Sequence, residues 1–320
     1  MSSSFAFRLL LTALAGLVFL TGTSAHSAQV VWRTGPCPIG DDTVRVFSLV
    51  SENKVGGWDS DTAPYSADGQ WRTHKIATCA DNLFSLYSAD IPTFQPSVAL
   101  TGKLNGVLTQ ARRELADPES PQVWERYRIA ARMYAEIGRS SWFMANLWLE
   151  ASWTVRDSGV GYYEGLNGPD VTMNLLNAGD AELIKGLPSA QEKAVRFNLA
   201  RVAHRGGYAL RRDAHLHAYK ALGALTPREA DAVRRLETAA KLEPSYQTEA
   251  LHFFEIAMED PALTPVEQAT ARYLAGDLER RLGRPAAARP HFEKAVADPN
   301  LPQELAQMAG FLLQGLPAGN

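Results

Sequence analysis

The sequence predicts a mainly helical protein in which an array of helical hairpins follows a small β-rich head. In the first part of the chain, short β-branched and aromatic runs alternate with Gly, Asp, Pro and Ser, which is typical of short strands and turns. From about residue 98 onward, apolar residues recur at steps of three and four, as in amphipathic helices. We therefore divide the chain into a signal peptide (1–28), a head (29–97) and helical hairpins (98–320).

The beginning of the chain has the pattern of a secretory signal peptide. One basic residue, Arg8, precedes an apolar run that is too short to span a bilayer comfortably. Small residues follow and suit cleavage after Ala25 or Ala28. We expect a bacterial protein that is exported to the periplasm or the medium and is not inserted in a membrane.

The overall charge argues against two classes of partner. The chain is 46% hydrophobic and 21% charged, with a formal net charge of −3, which is ordinary globular composition. Nucleic acids and anionic membranes attract proteins with a basic excess, and none is present here. A protein or peptide partner remains, and the sequence leaves the oligomeric state open.

The helical region has recognisable beginnings and ends. In "SPQVWERYRIAARMYAEIG", Ser120 is the expected N-cap, Pro121 the first helical residue and Gly138 the end of the helix. Tyr127 and Tyr134 lie on its apolar face. Similar segments, each broken by Gly or Pro, fill the rest of the chain.

Two helical segments repeat a common pattern. "EALHFFEIAMEDP" and "AARPHFEKAVADP" share Ala, Phe, Ala and Pro at equal spacing. "ARYLAGDLERRLG" supplies a preceding helix with Gly276 at the point of close contact and Gly283 at its end. These features resemble tetratricopeptide repeats, in which small residues let paired helices approach and aromatic residues fill the space between pairs. A generic helical bundle is the alternative.

The head shares an ordered series of residues with one bacterial family. The matching positions are Cys37, Pro38, Asp59, Asp61, Pro64, Tyr65, Gly69 and Cys79. The chain thereby resembles the domain-of-unknown-function 2225 (DUF2225) family, whose members carry two Cys-x-x-Cys knuckles before tetratricopeptide-like helices. The second thiol of each knuckle is replaced here, by Gly40 and Asn82. The resemblance implies a head derived from a zinc ribbon, and it implies no particular activity.

The two cysteines permit either a disulfide or an incomplete metal site. Structural zinc needs four ligands, and a site can be drawn in which His74, the nearest imidazole, and Asp81 join Cys37 and Cys79. In the four-thiolate site that the resemblance implies, the first cysteine of each knuckle binds the same ion, so the two retained thiols would lie close together. An exported chain with two such thiols ordinarily oxidises them. We predict a Cys37–Cys79 disulfide and no cofactor.

A second candidate metal site uses oxygen and nitrogen ligands. Asp59, Asp61 and His74 could bind a metal at the junction of head and helices, which would make the protein a metal-dependent enzyme or a metal-binding protein. The segment around the aspartates partly fits a calcium loop, but Ala63 and Pro64 break the ligand pattern. Aspartates that accept hydrogen bonds from turn amides are the alternative interpretation.

The chain lacks the usual catalytic motifs, including a nucleophile elbow, a phosphate-binding loop and a His-Glu-x-x-His helix. Its aromatic concentration includes Trp142, Trp148, Tyr162 and Tyr163, which are candidates to line a binding groove. Most such residues fill the space between stacked hairpins instead. The favoured function is therefore a non-catalytic, exported helical-repeat protein that binds another protein or a peptide.

Overall fold

The computed structural model describes residues 30–51, 57–66, 70–160 and 169–317. The predicted fold class is confirmed, since the described chain is mainly helical with a small N-terminal β head. The predicted signal peptide lies outside the described residues. Within the described residues, no helix combines the length and the apolar character needed to cross a membrane.

The head contains two short antiparallel ladders. Strands β1 (Val30–Pro36) and β2 (Thr43–Leu49) form one hairpin, and strands β3 (Ile76–Thr78) and β4 (Ser85–Tyr87) form the other. Sheets this small need outside support, because a lone hairpin is marginally stable in water. The second hairpin receives that support from helices of the array, against which it packs.

Ten α-helices account for most of the rest of the described chain. They are α1 (Val98–Glu114), α2 (Val123–Ile137), α3 (Ser141–Val160), α4 (Pro169–Ala178), α5 (Ser189–Gly206), α6 (Ala209–Ala221), α7 (Pro227–Met258), α8 (Pro265–Arg281), α9 (Pro285–Ala297) and α10 (Gln303–Gly315). The first helix begins at Val98, where the change in sequence pattern was expected.

The stacking order of the helices differs from their order in the chain. Helices α1, α2 and α3 pack in succession, and α3 then packs along α7. The stack continues through α8, α9 and α10. Helices α5 and α6 pair with each other and contact the stack at the side, through α3. The α5–α6 hairpin is therefore an insertion in the array.

The predicted start of α2 is wrong by two residues. The helix begins at Val123, and its N-cap is Gln122 rather than Ser120. The Gln122 backbone N–H donates to Glu125 Oε2 at 2.8 Å, so a capping box fixes the first turn there. The predicted end is correct, because Gly138 adopts the left-handed backbone conformation that stops a helix.

The pairing of α8 with α9 has the predicted close contact. A Cβ atom at Gly276 would lie 2.9 Å from His291 Cβ, so only glycine fits there without a shift. The other copy of the repeated pattern is the second half of α7, a single helix of 32 residues. The hairpins are thus irregular, and their assignment to the tetratricopeptide class stays a prediction.

Candidate functional site

The predicted Cys37–Cys79 disulfide is present. The two Cα atoms lie 6.1 Å apart, and both side chains are buried. Asn82, which stands where the second knuckle would have a thiol, donates from its side-chain amide to the Ile39 carbonyl at 2.5 Å. A Cβ atom at Gly40 would lie 3.1 Å from that amide nitrogen. A covalent bond and a hydrogen bond therefore connect the two segments that contain Cys37 and Cys79.

The acidic segment of the head is buried against the helices. Asp59 and Asp61 belong to a loop whose side chains reach Arg156 of α3. Arg156 Nη1 lies 2.9 Å from Asp59 Oδ2, and Arg156 Nη2 lies 2.5 Å from Asp61 Oδ2. On its other side, Arg156 Nε donates to Glu243 Oε1 of α7 at 2.8 Å. One fully buried guanidinium thus joins the head to two helices.

Three further arginines extend this contact. Arg205 Nε donates to Asp59 Oδ1 at 2.5 Å, and its guanidinium lies 3.6 Å from the centre of the Tyr65 ring. Arg280 and Arg281, at the end of α8, each donate through Nε to Asp277 at 2.8 Å. Both also donate to the Ser60 hydroxyl of the head loop.

We call this set the arginine network. Its charged members are Arg156, Arg205, Arg280, Arg281, Asp59, Asp61, Glu243 and Asp277. Basic and acidic groups are equal in number, so the network buries no net formal charge. Burial alone would raise the pKa of Asp61, but Arg156 and Arg281 overcome it and hold that pKa well below its usual range. The Asp61 carboxylate is therefore ionised and paired with Arg156 and Arg281.

A small cleft opens beside the network. It lies between the α5–α6 turn, the middle of α7 and the end of α8. Its polar lining includes His204, Arg212, Glu243, Gln247 and Arg281. The cleft therefore offers charged groups of both signs to a molecule that enters it.

His204 is the most unusual group in the cleft. Its side chain is 4% exposed, and its Nε2 atom lies 3.3 Å from Glu243 Oε2 without hydrogen-bond geometry. Burial, followed by the nearby charge of Arg212, lowers the pKa of His204 well below its usual value. The imidazole is therefore neutral, with one ring nitrogen that lacks a hydrogen-bond partner in the described structure.

The comparisons with known proteins bear on the helical part of the chain. Residues 184–311 match the model of a family described as an uncharacterized protein conserved in bacteria (DUF2225). The predicted resemblance to DUF2225 is confirmed. No curated protein and no solved structure matches the chain.

The DUF2225 match covers one side of the candidate site. It includes the whole lining of the cleft and the network residues of α5, α7 and α8. The head loop and Arg156 lie outside the matched segment. The head motifs that suggested the DUF2225 resemblance are thus outside the matched residues, although their aspartates bind arginines within them.

The structure does not assemble the alternative metal site of Asp59, Asp61 and His74. The two aspartates bind arginines, whereas His74 lies in an aromatic cluster with Trp32 and Phe47. In the described ranges, no group of three or more His, Cys, Asp or Glu side chains is arranged to hold a metal. The turn-amide interpretation is also incomplete, because it did not include the arginine partners.

The groove candidates have packing roles where the structure describes them. Trp142 lies edge-on to Phe254, and Trp148 packs against Tyr246. Both indoles are partly buried against hydrophobic cores of the array, as predicted for most of the aromatic residues. Tyr162 and Tyr163 lie outside the described residues.

The network arginines were not identified from the sequence, although a pattern was available. Arg156 continues the buried series Leu149, Ser152 and Trp153 at helical spacing, so it falls on the apolar face of α3. An arginine on such a face is rarely buried without an acidic partner. That position predicts a buried ion pair, but it does not indicate which of many distant carboxylates supplies it.

Proposed function

We propose that the protein is exported and acts without catalysis by binding a segment of another protein. Export is supported by the signal-peptide pattern and by the Cys37–Cys79 disulfide, a bond typical of oxidising compartments. The disulfide joins two segments of the head, and the arginine network connects the head loop to the helices, which together support a binding surface on the head.

The observation that carries the proposal is the free edge of β1. Within the described residues, β1 pairs with β2 alone, and most of its seven residues are exposed. Val31 is 39% exposed and Trp32 is 40% exposed, and Val50, just beyond β2, is 63% exposed. An apolar, unpaired edge is a ready template for an added strand, and proteins usually protect such edges.

The chemistry of the edge indicates what the partner segment contains. Strands β1 and β2 have no acidic residue, and they carry Arg33 and Arg45. The Arg45 guanidinium lies 4.6 Å from the centre of the Trp32 ring. An extended segment that combines apolar and acidic side chains would complement this surface, with backbone hydrogen bonds to β1.

Capture of partners by the purified protein from the exported fraction tests the proposal, provided that cross-links are mapped by mass spectrometry. We expect cross-links between β1 and an extended partner segment. Replacing Val31 with Lys and Trp32 with Ser should abolish capture. The matched control is Val98→Lys, a similar change at a valine that is 93% exposed on another element.

Two results would overturn the proposal. One is a partner whose capture is unchanged by the double substitution on β1. The other is a wild-type protein that captures nothing and stays monomeric under the same conditions.

A further inference from the structure

The aromatic face of the β1–β2 hairpin lies beside an arginine that has no acidic partner in the described chain. We infer that the partner segment carries an aspartate or glutamate whose carboxylate binds this residue, Arg126 of α2. The inference rests on the proposed function. It adds a chemical requirement that the edge of β1 alone does not impose, and it makes α2 part of the recognition surface.

The aromatic face is formed by both strands and by a short 3-10 turn (Trp71–His74). Trp32 lies opposite Phe47 in the β1–β2 ladder, so the two side chains share one face of the hairpin. The His74 ring lies on that face, with its centre 5.2 Å from Trp32 and 5.6 Å from Phe47. Trp32 and His74 are exposed, so a segment that pairs with β1 would meet them.

Arg126 borders this face from the first part of α2. The neighbouring Tyr127 donates its hydroxyl to the Arg72 carbonyl at 2.8 Å, which holds α2 against the 3-10 turn. Burial, and then the charges of Arg126 and Arg45, lower the pKa of His74. An effect of this kind requires both guanidinium groups to lie near the imidazole. The two arginines therefore flank a neutral, exposed histidine.

The charge of Arg126 is not neutralised within the described residues. The side chain is half-buried, and its buried Nε atom has no hydrogen-bond partner there. Burial lowers the pKa of Arg126, and no carboxylate acts against that effect. In contrast, Arg132 of the same helix lies 2.7 Å from Glu114. A partly buried charge without a counterion is costly, so a carboxylate from a partner would stabilise this site.

A second unpaired donor lies beside the same histidine. The Trp71 ring is centred 6.4 Å from that of His74, and its buried Nε1–H has no partner in the described structure. Both unpaired groups are donors, so they favour a ligand that accepts hydrogen bonds, as a carboxylate does. Strands β1 and β2 and the 3-10 turn contain no acidic side chain that could compete for this position.

The geometry of an added strand brings side chains to this face. Side chains alternate along a strand, so every second residue of a segment paired with β1 lies on the face of Trp32. His74 and Arg126 lie on that side of the hairpin. Arginine can also bind a carboxylate through two parallel hydrogen bonds, which adds specificity to the contact. We therefore expect the acidic residue at a position of the segment that shares the face of Trp32.

Capture from the exported fraction, repeated with variants of the full chain, tests the inference. Arg126→Met removes the charge and keeps an apolar stem, and it should weaken capture about tenfold. Arg126→Lys keeps the charge and should retain part of the binding. The matched control is Arg128→Met on the same helix, because Arg128 lies near Glu114 and Tyr246 instead. It should capture the partner as the wild type does.

Urea unfolding distinguishes a binding role of Arg126 from a structural one. Arg126→Met removes an unpaired, partly buried charge, so its urea midpoint should equal or exceed that of the wild type. A binding loss that comes with a lowered midpoint would indicate a structural role and would overturn the inference.

A double-mutant cycle identifies the carboxylate itself. The cross-linked partner segment is synthesised, and each Asp or Glu is replaced in turn by Asn or Gln. One replacement should weaken binding to the wild type about tenfold, by fluorescence anisotropy. The same replacement should have little effect on binding to Arg126→Met, because the interaction is already lost there. If every replacement acts equally on both proteins, the inference is wrong.

The outcomes separate this inference from the proposed function. Capture that is abolished by the β1 substitutions but unchanged in Arg126→Met overturns the inference and leaves the proposed function. Capture that is weakened in Arg126→Met but unchanged by the β1 substitutions overturns the proposed function and leaves the pairing of a carboxylate with Arg126. A wild-type protein that captures nothing overturns both.

Discussion

Arg156 is the residue on which the junction of head and helices depends most directly. It is fully buried and contacts Asp59, Asp61 and Glu243. We expect Arg156→Met to lower the free energy of unfolding by about 3–5 kcal/mol, because it leaves carboxylates buried without their cation. Urea unfolding followed by circular dichroism measures this change.

The control for that substitution is Arg234→Met, on an arginine whose side chain is 71% exposed. It should alter stability by less than about 0.5 kcal/mol. A loss below about 1 kcal/mol in Arg156→Met would contradict the buried network, because surface ion pairs contribute amounts of that size.

His204 makes stability depend on pH near neutrality. Burial and then Arg212 hold its pKa in the folded protein well below the ordinary value of 6.5. Below that pH the unfolded chain binds a proton that the folded chain excludes, so stability falls as the pH falls. The contribution approaches about 1.4 kcal/mol per pH unit. Urea unfolding from pH 7.5 to 5.5 should therefore show a flatter dependence in His204→Gln.

The exposed residue His217 provides the comparison for this measurement. His217→Gln removes an exposed histidine and is the matched control for the substitution itself. If His204→Gln and His217→Gln change the slope equally, the prediction of a neutral, buried His204 is wrong.

At the residue scale, the sequence predicted the disulfide but not the ion pairs of the buried aspartates. The disulfide followed from two cysteines in a chain expected to be exported, because only one pairing exists within the chain. The partners of Asp59 did not follow, since Arg205 lies 146 residues further along the chain. Local patterns show that a charge falls on a buried face, but they contain no information about its distant counterion.

At the scale of elements, local sequence patterns predicted the individual helices better than they predicted how the helices pack together. The stop at Gly138 is correct because the left-handed conformation suits glycine. The predicted start of α2 was wrong because serine has the stronger intrinsic preference for the N-cap position, which favoured Ser120. In the structure, Gln122 and Glu125 form a capping box two residues later. The insertion of α5 and α6 depends on tertiary packing, which helical periodicity does not encode.

The contact between α8 and α9 gives an element-scale prediction. Gly276→Ala should lower the free energy of unfolding by about 1–3 kcal/mol, because the new methyl group meets His291 and Phe292. Gly102→Ala in α1 is the matched control, since nothing lies within 4 Å of its added Cβ. That change should stabilise α1 by about 0.5–1 kcal/mol. Thermal unfolding of both variants measures the contrast, and equal effects would refute the close contact.

At the scale of the whole molecule, head and helices should unfold together. The disulfide connects residues 42 positions apart, so the Cys37→Ser and Cys79→Ser double variant should lose about 3–4 kcal/mol. Because the head loop is part of the core of the array, the variant should still show a single transition. Fluorescence and circular dichroism during urea unfolding should coincide. A separate, early transition of the head would contradict this expectation.

The burial of the head loop also has a consequence for the time at which the molecule folds. The Ser60 hydroxyl contacts Arg281, 221 residues later, so the loop reaches its final surroundings only after nearly the whole chain is available. Asp59 and Asp61 can pair with Arg156 once α3 is made, but their contacts with Arg205 and Arg281 need α5 and α8. Synthesis proceeds from the N-terminus, so the first segment made should be among the last to become native. We therefore expect the incomplete chain to be cleaved by proteases more readily than the finished one, and we expect resistance to appear once α8 is complete.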